Sequence, residues 1–161
     1  MQKIEIKTAF LVYQTEDELP SLDLQLLQSA KGVLQNAYAP YSKFQVAAAA
    51  LLANGETVKS TNYENASYPL CVCAEHSALI AAANKFPDSP VVSVAITVKN
   101  DVNPVDKPAL PCGSCRQVIS ETENKNDQHI KVILQGETGE IYVFEKGSDM
   151  LPLAFDGSYL K

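Results

Sequence analysis

The chain carries C-x-E at Cys73-Ala74-Glu75 and P-C-x-x-C at Pro111-Cys112-Gly113-Ser114-Cys115, two halves far apart in sequence that suit one metal ion. A fold that uses them together must bring two distant segments to one point. Residues Cys73 to Lys85 are rich in Ala and Leu with no Gly or Pro, and Gly113 to Thr122 reads as a second, shorter helix, so both helices open at cysteines. The positive ends of two such helices, aimed at one spot, would lower thiolate pKa and favour metal binding. Four cysteines can also pair as two disulfides, but the clustering C-x-C and C-x-x-C suits a metal better.

The rest of the chain supplies the layers around that point. Lys3 to Tyr13 alternates in part and reads as an edge strand ahead of the acidic Glu16-Asp17-Glu18 turn. Leu22, Leu26, Ala30, Val33, Leu34 and Ala37 recur at helical spacing, which predicts an amphipathic helix from Ser21 to Ala37, ended before Pro40. Asn54-Gly55 between Phe44–Ala53 and Glu56–Tyr63 is a strong hairpin signal, and it favours strand over helix for the Ala47–Ala50 run. Val91 to Val98 is a β-branched run suited to a central strand covered on both faces, and Asn100 to Pro111 follows as a loop. Ile130–Leu134 and Ile141–Glu145 read as two more strands joined across Gly136–Gly139, before a tail with a short helix and an irregular end. Strands alternating with helices predict one α/β domain over residues 1–161, three-layered α/β/α, with a mixed five-stranded sheet plus an extra N-terminal strand in the extension 1–20.

Charge narrows the partners. A net charge of −6 disfavours a non-specific grip on a phosphate backbone, which depends on Lys and Arg, so a small or cationic substrate is favoured over a nucleic acid. No signal-like N-terminus and no apolar run near the roughly 18–20 residues of a membrane span is visible, and a cytoplasmic, membrane-free protein is expected.

The ligand count separates catalytic from structural metal sites. Zinc with three protein ligands keeps a fourth position for water, whereas a structural site closes with four. Cys71 is available as a fourth thiol, and His76, three residues after Cys73, can ligate on the same helix face or orient and screen the thiolates. Glu75 is either a carboxylate favoured by the helix dipole or, two residues after a ligand, a carrier of protons for metal-activated water.

Four segments resemble cytidine deaminase of the small homotetrameric kind: Ala39-Pro40-Tyr41-Ser42-Lys43-Phe44, Asn62-Tyr63-Glu64-Asn65-Ala66-Ser67-Tyr68-Pro69-Leu70, Cys73-Ala74-Glu75, and Pro111-Cys112-Gly113-Ser114-Cys115-Arg116-Gln117-Val118. The likeness runs from about Leu22 to Phe155 and leaves the N-terminal strand unexplained. It implies one Zn2+ per subunit on Cys73, Cys112 and Cys115, with Glu75 moving a proton to N3 of cytosine and later to the departing amine. It further implies Asn62 and Glu64 on the ribose, Phe44 as the pocket aromatic and the Ala74 backbone on the base. Tyr68 and Phe155 would be donated to a neighbouring subunit's site. The activity implied is deamination of cytidine or deoxycytidine to the uridine nucleoside and ammonia, in pyrimidine salvage. Two departures stand out: His76 where the family often has Arg, and Cys71 where it often has Gly. Three thiolates exceed the zinc charge by one, and His76 donating a hydrogen bond to one of them would offset part of that excess. The alternatives are a deaminase of a cytosine-containing antibiotic such as blasticidin S, a polynucleotide-editing deaminase, and a non-catalytic zinc-stabilised binding domain.

Overall fold

A computed structural model describes residues 1–160 of the chain. One mixed sheet of six strands in the order β1-β6-β5-β4-β2-β3 forms its middle layer. The strands are β1 (Leu11–Tyr13), β2 (Phe44–Leu52), β3 (Thr57–Thr61), β4 (Val91–Asn100), β5 (Lys131–Gln135) and β6 (Ile141–Phe144). The helices are α1 (Ser21–Lys31), α2 (Ala74–Lys85) and α3 (Gly113–Asn126). Only β4 and β5 run parallel, and α3 lies between them in sequence as the crossover that a parallel pair requires.

The Ala47–Ala50 run is strand because tertiary packing overrides its helical propensity. All four alanines are fully buried, and alternate residues face opposite layers. Ala48, Ala50 and Leu52 pack with Val94, Ile96, Val132 and Leu134 under α2 and α3, while Ala49, Ala95 and Ile133 pack under α1. Small side chains let helices approach the sheet from both sides. The hairpin turn behaves as its dipeptide predicts: Gly55 adopts φ +85°, and Asn54 Oδ1 accepts the Glu56 N–H at 3.0 Å.

Three expectations are corrected. The sheet has six strands rather than five, because the N-terminal strand joins it at the β6 edge, and that strand spans only Leu11–Tyr13. Leu11 pairs with Val143, so β6 has one residue left, and Phe10 stacks its ring on Phe144 at 5.0 Å instead of extending the ladder. Helix α1 stops at Lys31, six residues before the predicted Ala37, where Gly32 follows and the chain tightens into a 3-10 turn at Leu34–Asn36. Helix α3 runs on past Thr122 to Asn126 and ends at Asp127, whose left-handed φ of 46° suits a short polar side chain.

Topology then places both cysteine-bearing segments. Helix α2 precedes β4 and runs back alongside it, so its N-terminus lies at the C-terminal end of β4. Helix α3 follows β4 and starts from that same end. Ligand sites of α/β folds gather at the carboxyl ends of strands for this reason.

Candidate active site

Cys73 is the N-cap of α2 and Cys112 the N-cap of α3, with Cys115 on the first turn of α3. Their three sulfurs all lie within 4.8 Å of one another. Neither N-cap makes a side-chain capping bond, so the first-turn N–H groups of both helices are left for whatever sits between them. The cluster is electrostatically lopsided in a way that calls for a cation. A hydrogen bond from Cys115 leads the effects that lower the Cys73 thiol to about 7, with burial and the Glu75 carboxylate opposing. The same bond, together with burial, pushes the Cys115 thiol up. One sulfur gives up its proton readily and the next resists, until a divalent ion balances the charge. The set therefore fits zinc, with three protein ligands.

Cys71 and His76 are not part of that set. Cys71 is exposed, and its sulfur accepts the Asn65 N–H at 3.2 Å. His76 is half-buried, and among the described residues no hydrogen bond joins it to a cysteine sulfur.

Glu75 is 5% exposed, and among the described residues its Oε2 has no hydrogen-bond partner. A carboxylate oxygen out of water and unpaired is costly, commonly by about 1–3 kcal/mol, and such a group in a cleft marks a ligand contact. It faces a cleft of about 460 Å³ that Phe44, Asn62, Glu64 and Cys73 also line. Phe44, Asn62, Glu64, Cys71, Cys73 and Glu75, all singled out in the sequence, thus share one cavity. Ala74 is fully buried at the first position of α2, where its N–H has no intrahelical partner.

Asn62 and Glu64 are each half-committed to the fold. Asn62 Oδ1 accepts the Val46 N–H at 2.9 Å, and its Nδ2 donates to the Phe44 carbonyl at 2.9 Å. Glu64 Oε2 accepts the N–H groups of Tyr41 and Ser42 at 2.9 and 3.2 Å. Desolvation would raise the Glu64 pKa, but bonds from Ser42 and Tyr41 and the Lys43 charge hold it below the usual carboxylate range. One amide N–H and one carboxylate oxygen remain, a donor and an acceptor side by side, which matches hydroxyl groups.

Tyr68 and Phe155 lie outside this cavity, 69% and 57% exposed. Tyr68 meets Tyr41 edge-on at 5.9 Å, and Phe155 stacks on Tyr159 at 5.5 Å. The cavity also has walls that sequence reasoning missed: Ile96 and Val98 from β4, and Ala109 and Leu110 from the loop after it, next to Pro111 of the P-C-x-x-C motif. No local pattern marks them, since a strand residue and a loop residue become neighbours only in the folded sheet.

Comparison with known proteins points to one family. A family model described as the cytidine and deoxycytidylate deaminase zinc-binding region matches residues 20–128. A cytidine deaminase of Halalkalibacterium halodurans is 40% identical over 130 residues, 81% of this chain and 91% of the relative. One from Sporosarcina psychrophila is 35% identical over 131 residues, 81% and 89% of the two chains. Among solved structures, the cytidine deaminase of Burkholderia pseudomallei superposes with a TM-score of 0.70 at 36% identity, covering 81% of this chain and 97% of that one.

Proposed function

The chain belongs to the cytidine and deoxycytidylate deaminase zinc-binding family, and from that premise we propose that it is a zinc-dependent cytidine deaminase, a hydrolase converting cytidine or deoxycytidine to the uridine nucleoside and ammonia. The observation that carries the reading is the buried, unpaired Glu75 Oε2 in a cleft beside three converging thiols.

Cys73, Cys112 and Cys115 would hold the ion. When bound, zinc supplies a Lewis acid that brings the pKa of a water near 7 and so makes a nucleophile available at neutral pH. Glu75 accepts the proton of the attacking water at Oε2 and passes it to N3 of the base, then takes up the proton of the hydroxyl formed at C4 and delivers it to the amine that leaves as ammonia. Its position on a helix, rather than on a loop, keeps that oxygen in place between the two transfers. The Ala74 N–H is free to orient the base, and Phe44 offers its ring as one wall. Asn62 and Glu64, with one donor and one acceptor to spare, suit the sugar hydroxyls.

The assembly is part of the proposal. Exposed Tyr68 and Phe155, unused by their own cleft, support donation to neighbouring sites in a homotetramer. Thiol ligands work only when reduced, which supports a cytoplasmic setting, and the reaction suits pyrimidine salvage. Among the described residues no helix is long and apolar enough to cross a membrane.

Incubating the purified protein with cytidine and with deoxycytidine, and following the ultraviolet change and ammonia release, tests the reading. Turnover that disappears in Glu75→Gln supports it. Turnover of blasticidin S or of a short single strand in preference to free nucleosides would overturn it, as would zinc with four protein ligands. Light scattering tests the tetramer.

A further inference from the structure

The loop 101–112 ends in the cleft wall Ala109–Pro111 and runs directly into Cys112. It is gripped by the turn between β5 and β6, which lies outside the cleft. Glu137 Oε1 accepts two backbone N–H groups, from Asn100 at 3.0 Å and from Val105 at 3.3 Å. The Glu137 N–H in turn donates to the Val105 carbonyl at 2.8 Å. Two glycines make the approach possible. A Cβ on Gly136 would stand 2.4 Å from the Val105 oxygen, and one on Gly139, where φ is +85°, 2.0 Å from the Asp106 oxygen.

The turn is itself anchored to the sheet. Thr97 Oγ1 donates to the Gly136 carbonyl at 3.1 Å, and Gln135 Nε2 donates to the Gly139 carbonyl at 3.2 Å. At the far end of the loop, Arg116 Nε donates to the Pro111 carbonyl at 2.8 Å. Ala109 and Leu110 are therefore suspended between two fixed points, one set by Glu137 and one by Arg116.

We infer that Glu137 is a positioning residue for the substrate cleft, holding the Ala109–Pro111 wall in place through Asn100 and Val105. The inference rests on the deaminase reading. Glu75 and the thiols sit on α2 and α3, or at their caps, so loosening this loop enlarges the cleft without moving the proton carrier. The consequence is weaker substrate binding with chemistry intact.

The test compares Glu137→Ala and Glu137→Gln in the full-length, zinc-loaded protein. Both bonds end on one oxygen, and the amide oxygen of Gln can accept both. Glu137→Ala is expected to raise KM for cytidine about tenfold with kcat within about twofold, and Glu137→Gln to restore KM to within about twofold. Zinc content should stay at the unaltered level in both. An unchanged KM in Glu137→Ala, or equal losses of kcat and KM in both variants, overturns the inference. Hydrogen exchange in the unaltered protein needs no variant: Asn100 and Val105 amides protected like those of β5 support it, and free-loop exchange overturns it. Absence of cytidine turnover in the unaltered protein would instead overturn the deaminase reading, and the exchange result would still decide the clamp.

Discussion

Asn62 fastens the strand that carries Phe44: its Nδ2 donates to the Phe44 carbonyl at 2.9 Å while its Oδ1 accepts the next-but-one N–H, that of Val46. The residue suited to the sugar thus also shapes the wall beside it. Glu64 is different, since the N–H groups it accepts belong to Tyr41 and Ser42, which are exposed. Asn62→Ala should therefore lower stability by about 1–3 kcal/mol and raise KM, because two partly buried backbone groups lose their partners. Glu64→Ala should raise KM while shifting the melting temperature little, since water can take over its N–H groups. Denaturant melts beside steady-state kinetics separate the two, and equal destabilisation would refute the distinction.

Glu75→Gln should lose about 10²–10⁴ in kcat, the range expected for removing a proton carrier. The same change takes a charge away from a buried oxygen that has no partner. The variant should bind zinc as before and melt no lower than the unaltered protein. A site that is tuned for chemistry at some expense in stability behaves this way.

Zinc affinity should depend on pH with a bend near 7. The Cys73 thiol is lowered to about 7, first by its hydrogen bond with Cys115. Above that pH the ion meets Cys73 already deprotonated, and below it the ion must displace that proton too. Apparent affinity should fall about one extra decade per pH unit on the acid side. Competition titrations against a chelator at several pH values would show the bend, and a single slope through 7 would contradict it. Stripping the metal should abolish turnover, and restoring zinc should recover it.

Glu123 is buried in α3 and accepts N–H groups from Ile130 at 2.7 Å, Gly147 at 2.9 Å and Ser148 at 3.2 Å. It ties the start of β5 to the turn after β6, away from the cleft. Glu123→Ala leaves those donors unpaired and should cost about 2–5 kcal/mol of stability. Activity measured well below the melting temperature should stay within about twofold, a split read by pairing a thermal melt with a cytidine assay.

Spacing along the chain was enough to pick out the cysteines that the fold brings together. Cys73, Glu75, Cys112 and Cys115 sit at two helix starts, and a helix start is a local event governed by neighbouring residues. The Asn54-Gly55 turn and the Val91–Val98 strand were legible for the same reason. The end of α1 was not, because Val33, Leu34 and Ala37 keep the helical period although the backbone past Gly32 has already tightened to 3-10 bonding. Tertiary structure alone decided that Glu64 takes its hydrogen bonds from the turn at Tyr41 and Ser42, that Ile96 and Leu110 share a wall, and that Glu137 grips a loop more than thirty residues earlier in the chain. Such contacts depend on where backbone N–H and carbonyl groups of distant segments arrive after the sheet is assembled, and every residue carries those groups alike.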